Sequence, residues 1–402
     1  MEKFPATFIT ILTLRPINQI RNINMKNQLI LLIVLLLACF DSSAQRKLLE
    51  RLKGSSDSSS NRKGYTIALP AIGYSQETGW QFGAASLTSF YTSKTDTSTR
   101  NSNIAGLISF TTKSQSHFAV KPDIWSKGNA YHFTADLKYK NFPFNFYGIG
   151  DRTNKADEDI ITQKLIRVAG EAEKRLKRNI YAGVTLNYEH YTYQEKDEAG
   201  IYASSPAVFD RDGGQVLFVG LSQITDSRNT NNYTTKGTYL KLNLSYAPDF
   251  FRGDNYSGAL FRLDFRNFSS LNNKAVLGFN VNYQTLQGSK VPFYLLPQLG
   301  NDQIMRGYYT GRYRDQNLLA LQTEFRYRFI RRLGLAAFLG TGSVYGGKGF
   351  RINDFKPSYG GGLRYFVSPE RGTTLRLDYG FGEKRPGEKL QKGFYLSFGE
   401  AF

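Results

Sequence analysis

From residue 64 to the C terminus, apolar and polar side chains alternate one by one along the chain. In residues 274–286, Ala275, Leu277, Phe279, Val281 and Tyr283 alternate with Gly278, Asn280, Asn282 and Gln284. In residues 258–268, Ala259, Phe261, Leu263 and Phe265 alternate with Arg262, Asp264 and Arg266. Residues 237–246 repeat the pattern with Leu240, Leu242 and Leu244 against Lys241, Asn243 and Ser245. A strand sends successive side chains to opposite faces, so each segment has one greasy face and one charged face. The segments run about ten to thirteen residues. A tilted strand needs about 9–11 residues to cross a bilayer, whereas soluble strands average about 5–6. Length therefore selects a membrane barrel over a soluble sandwich.

About sixteen such segments fit between residues 64 and 402, an even count that lets both termini lie in the periplasm. The expected fold is all-β: a transmembrane antiparallel β-barrel. From the third loop on, connections after odd strands are long (141–158, 195–213, 248–256, 287–316, 346–357), and those after even strands are mostly tight. The turn at 93–103 is an exception, long and polar. Residues 160–176, rich in Ala, Glu, Lys and Arg, have helical propensity. Their alternation of Ile166, Val168 and Gly170 with Arg167, Ala169 and Glu171 nevertheless favours a strand. The longest loop holds Met305-Arg306-Gly307-Tyr308, and an arginine set among glycines and aromatics can fold back into a polar lumen to meet a carboxylate.

The net charge is +19. A basic balance of this size would also suit nucleic acid, but the cations form no run. They are spread at alternate positions, as a charged lumen and loops facing anionic lipid require. The abundant Tyr and Phe suit the aromatic girdles of a membrane barrel.

Residues 1–24 carry no pattern and read as upstream of the true start. Met25 opens a secretory leader: Lys26, an apolar run from Leu29 to Cys39, then Ser42-Ser43-Ala44 before Gln45. The run is shorter than the roughly 20 residues of a spanning helix. Residues 25–44 are thus expected to be a signal peptide. A membrane anchor, and a lipoprotein box at Leu36-Leu37-Ala38-Cys39 with Cys39 acylated, are the competing readings. Residues 45–63 are a short polar periplasmic tail. Cleavage after Ala44 removes the single cysteine, leaving no thiol or disulfide chemistry.

Met305-Arg306-Gly307-Tyr308, followed by Gly311-Arg312-Tyr313-Arg314-Asp315, resembles the sixth-loop signature of the BamA/TamA-type outer-membrane assembly barrels, the bacterial surface antigen superfamily. Other pieces follow in family order: Tyr74-Ser75-Gln76-Glu77-Thr78-Gly79, Phe146-Tyr147-Gly148-Ile149-Gly150, Asp226-Ser227-Arg228 with Lys236-Gly237-Thr238-Tyr239, Thr323-Glu324-Phe325-Arg326 and Leu375-Arg376-Leu377-Asp378.

The resemblance implies that a long sixth extracellular loop is folded into the lumen, with Arg306, Gly307 and Tyr308 as the latch and Glu324 as one acidic partner. The second family acceptor lies in an F-x-D-x-G strand. Here the chain reads Phe338-Leu339-Gly340-Thr341-Gly342, with glycine in place of the acid, and Asp378 is the expected substitute. Gly360-Gly361-Gly362 is expected to make room for the loop. The resemblance also implies a lateral seam between the first and last strands, marked by Gly393 and Phe402. Phe394, Leu396, Phe398 and Phe402 are read as lipid-facing, with Glu400 near the rim. Family assembly members carry periplasmic POTRA domains, and residues 45–63 are too few for one, so a form lacking them is expected.

His117, His132 and His190 show no metal-ligand spacing such as H-E-x-x-H, and no nucleophile pattern accompanies them. No enzyme, metal site, cofactor or nucleic-acid partner is expected. The expected function is assistance in inserting or translocating proteins or lipids at the bacterial outer membrane. The expected partners are membrane lipid, nascent outer-membrane proteins and periplasmic accessory proteins. A passive channel or structural barrel is the alternative, and an outer-membrane hydrolase the distant third.

Overall fold

The computed structural model describes residues 62–75, 79–194, 199–251, 256–347 and 349–402. The leader at 25–44 with Cys39, the tail up to residue 61 and Gln76–Thr78 of the first hairpin lie outside the described residues.

The wall is one antiparallel sheet of sixteen strands, each paired with its neighbours in sequence. It comprises β1 (Tyr65–Ser75), β2 (Gly79–Phe90), β3 (Ser102–Thr111), β4 (Ser116–Trp125), β5 (Tyr131–Phe146), β6 (Asp159–Lys177), β7 (Ile180–Gln194) and β8 (Gly213–Asp226). It continues with β9 (Gly237–Ala247), β10 (Gly258–Ser270), β11 (Ala275–Gln287), β14 (Asn317–Tyr327), β15 (Leu333–Tyr345), β16 (Lys356–Ser368), β17 (Thr373–Phe381) and β18 (Lys392–Phe398). The sixth loop carries a separate small hairpin, β12 (Gln298–Leu299) with β13 (Tyr313–Arg314). Residues 160–176 form β6, laddered on both sides by β5 and β7. Two long ladders override its helical propensity.

Burial is inverted relative to a soluble protein. Leu221 is 66% exposed and Leu339 60% exposed on the outer face, while Glu324 and Asp378 inside are fully buried. Lipid covers the outer belt, and the ladders satisfy the backbone polar groups that hydrocarbon cannot.

The sheet curls until its first strand reaches β17 near the opposite edge. The Tyr65 hydroxyl of β1 lies 2.5 Å from Thr373 Oγ1 of β17, and Arg371 donates to the carbonyls of Lys63 and Ser89. These contacts lie at the end carrying the short turns. There the long turn between β2 and β3 crosses the mouth: Arg100 pairs with Asp226, Asn231 donates to the Asn101 carbonyl at 2.8 Å, and Asn103 to Asn232 at 3.0 Å. The length of the 93–103 turn is thus used to meet the β8–β9 turn. At the other end, Phe146 of β5, Tyr193 of β7, Tyr202 of the fourth loop and Phe293 of the sixth pack an aromatic cap.

Candidate functional site

The sixth loop descends into the lumen and ends in a buried ion network. Met305 takes φ 55° and donates its amide to Gln322 of β14 at 2.9 Å. Gly307 follows at φ 108°, a conformation that suits glycine, and this pair of turns presents Arg306 to the wall. Arg306 Nη2 donates to Glu324 Oε2 at 2.5 Å, and Nη1 bonds Asp378. The structure therefore brings Arg306, Glu324 and Asp378 together. The Arg306 guanidinium lies over the ring of Phe338 of β15.

Backbone contacts seat the rest of the loop. Ser358 of β16 donates to the Arg306 carbonyl at 2.6 Å, and Gly307 donates to the Tyr395 hydroxyl of β18 at 2.9 Å. The Tyr308 hydroxyl donates to the Pro357 carbonyl at 2.5 Å and accepts from the Glu383 amide at 2.8 Å. A Cβ at Gly380 would sit 2.8 Å from the Arg306 carbonyl carbon, and one at Gly382 2.7 Å from the Tyr308 ring. Glycine is needed at both positions for the loop to approach. In the Gly360-Gly361-Gly362 run, Gly360 clears the Phe338 ring and Gly362 clears the Asp378 carboxylate.

The network extends beyond the residues read from the sequence. Arg364 donates to Asp378 at 2.5 Å and to Glu400 at 2.7 Å, and Arg326 donates to Glu324 at 2.7 Å. Arg376 bridges Asp378 at 3.1 Å and Asp302 at 2.9 Å. Four arginines thus face four carboxylates. Charge-assisted forks of this kind are strong when both partners leave water together. Arg364, Asp302 and Glu400 lie in no motif read from the sequence, whereas Arg376 lies within Leu375-Arg376-Leu377-Asp378; the alternation along β16 and β17 puts both arginines on the lumen face.

A model of the Omp85 superfamily domain matches residues 71–402. The chain belongs to the Omp85 superfamily. The family expected from the loop signature is the one the match shows, and this Omp85 barrel is an outer-membrane protein. Among solved structures, it resembles BamA from Haemophilus ducreyi lacking POTRA domains 1-3, at 12% identity, TM-score 0.51, with 84% of this chain and 70% of that chain covered. It also resembles CdiB from Escherichia coli, at 11% identity and TM-score 0.53, with 83% of this chain and 62% of that chain covered. At such identities the likeness is one of fold. No curated protein matches the chain.

The Omp85 C terminus departs from expectation. Phe402 does not face lipid. Gly399 takes φ 79° and turns residues 400–402 inward. There the Phe402 ring packs on Phe268 and lies 3.2 Å from the point where a Cβ of Gly278 would be. Arg326 donates to the Phe402 backbone oxygen at 2.7 Å, and Glu400 accepts from Thr374 at 2.9 Å. Glu400 is therefore part of the buried network rather than a rim charge. The physical reason is that the lumen offers both a surplus of guanidinium groups and a ring-lined niche, which the bilayer does not. Phe394 and Leu396 do lie exposed on the outer face. Gly393 pairs with Gly380 in the β17–β18 ladder, and its lack of a side chain leaves room for the Tyr395 hydroxyl.

The early-loop element at 146–150 also reaches this loop. The Gly150 amide donates to the Arg314 carbonyl at 2.8 Å, and Arg312 stacks 4.5 Å from the Tyr147 ring centroid. His132 lies stacked on Trp125 between Asp123 at 3.0 Å and Glu173 at 3.1 Å.

Proposed function

We propose that this Omp85 barrel assists the insertion or translocation of proteins, or of lipids, at the outer membrane, by opening at the β18 edge of the sheet. The observation that carries the reading is the last ladder. β18 has seven residues, and its ladder with β17 has seven registered pairs, fewer than any other wall ladder among the described residues. A short ladder has fewer hydrogen bonds to lose, so local opening costs least there. The latch braces the strands beside it. Through Glu324, Ser358, Asp378 and Tyr395, one loop holds β14, β16, β17 and β18. Opening is then confined to the edge instead of spreading through the wall. The short-turn end and both termini face the periplasm, and the long loops face outward.

The alternative of a passive channel requires an open path, whereas the sixth loop enters the lumen and binds its wall, and turns reach across the other mouth. Depletion in the native host tests the proposal. Other outer-membrane barrels should fall in abundance, and Arg306→Ala should reproduce part of the defect. Normal levels of all other barrels, together with steady conductance of the intact protein in planar bilayers, would favour the channel.

A further inference from the structure

A cavity of about 450 Å³ lies in the lumen between the sixth loop, β5, β6 and β18. Its polar lining includes Lys140, Arg314, Lys392, Gln163 and Gln298, with Tyr308 on one side. No residue lining it is acidic.

Elsewhere in the lumen most cations meet a carboxylate. Arg306, Arg326, Arg364 and Arg376 meet Glu324, Asp378, Glu400 and Asp302. Lys241 meets Glu171, Arg266 meets Asp264, and Lys138 and Arg167 share Asp136. Lys140, two residues along β5 from Lys138, has no ion-pair partner among the described residues, and neither has Lys392. Arg314 is 2% exposed, yet its Nε and Nη2 reach only the Gly311 carbonyl, at 3.3 and 3.2 Å, and no described carboxylate pairs with it. Its remaining neighbours are rings, with Phe146 at 5.1 Å and Phe144 at 5.5 Å. Arg314, held from bulk water without a counter-charge, is costly to bury, and an anion beside it removes that cost, while the exposed Lys392 adds its charge from the rim.

We infer that this cavity is a binding site for a phosphate group. A phosphate matches the set better than a single carboxylate does. It carries up to two charges and several acceptor oxygens, which an arginine fork, a lysine and two amide side chains can share. The volume falls within the range of small-molecule sites and exceeds what bare phosphate fills, so the ligand carries a further group against the tyrosine side. Two sources share this chemistry. One is a soluble phosphorylated compound. The other is a lipid headgroup, since Lys392 and Gly393 of the edge strand β18 form part of the lining.

The test uses the full chain purified in non-ionic detergent. Inorganic pyrophosphate is titrated calorimetrically, and phosphatidylglycerol retention is measured by native mass spectrometry after reconstitution in vesicles of phosphatidylethanolamine and phosphatidylglycerol. Saturable pyrophosphate binding supports a soluble ligand, and retention of phosphatidylglycerol alone supports a headgroup. In either case Lys140→Gln should weaken binding about tenfold, Lys140→Arg should restore it, and added salt should weaken it. Lys392→Gln is the second variant, should Lys140→Gln fail to fold. No binding of either probe to the wild-type chain, or binding unchanged in both variants, overturns the assignment.

Discussion

The Arg306 guanidinium lies 3.5 Å from the centroid of the Phe338 ring. Phe338 stands two residues before Gly340, where the family's strand carries its acid. The ring covers one face of the cation, and Asp378, reached from β17, supplies the missing charge. An aromatic face attracts a desolvated guanidinium by about 2 kcal/mol, so the departure at Gly340 is compensated from two directions.

Arg306→Ala should destabilise the folded barrel by about 3 kcal/mol, because it leaves buried carboxylates short of a partner. Arg306→Lys should recover little, since one ammonium cannot fork between Glu324 and Asp378. The temperature at which the compact band converts to the unfolded band in gel electrophoresis reads both effects.

Gly382→Val should prevent Tyr308 from seating, since even a Cβ at Gly382 would lie 2.7 Å from its ring. The expected outcome is a folded wall with a displaced sixth loop. Limited proteolysis should then cut near residues 300–311 in the variant and leave the parent intact; equal resistance would count against a tightly seated loop.

The inward C terminus predicts resistance to carboxypeptidase. The parent should keep its full mass in detergent, because Phe402 is 6% exposed and held by Arg326. Glu400→Ala should release the tail by freeing Arg364 and Thr374, and mass spectrometry should show loss of Phe402. Rapid trimming of the parent would place the tail outside the lumen.

The turn between β2 and β3 should be acid-sensitive. The Ser98 hydroxyl at 2.6 Å and amide at 2.9 Å, with the Thr99 hydroxyl at 2.9 Å, hold the Asp96 carboxyl down at about 2. A carboxyl depressed on folding stabilises above its unfolded value near 3.8 and loses that contribution as pH falls towards about 2. The protection factor of the Ser98 amide, relative to the intrinsic exchange rate at each pH, should therefore be high at neutral pH and fall across that acid window. Asp96→Asn should lower it already at neutral pH.

Period-two alternation, strand length and loop spacing are local properties, and they made the sixteen-stranded wall legible, even in residues 160–176. The loop signature likewise marked Arg306 and Glu324, and lumen-facing parity singled out Asp378. Parity states which face a side chain takes, but not which distant residue shares its height in the lumen. Arg364, Arg376, Asp302 and Phe338 joined the latch only when curling of the sheet brought their strands around one loop. Phe402 shows the limit most clearly. Its sequence position continues the lipid-facing run, yet a glycine at φ 79° and the arginines across the lumen turn it inside. Alternation decides what a strand can bury, whereas the charge balance of a closed interior decides where the chain goes once the strand ends.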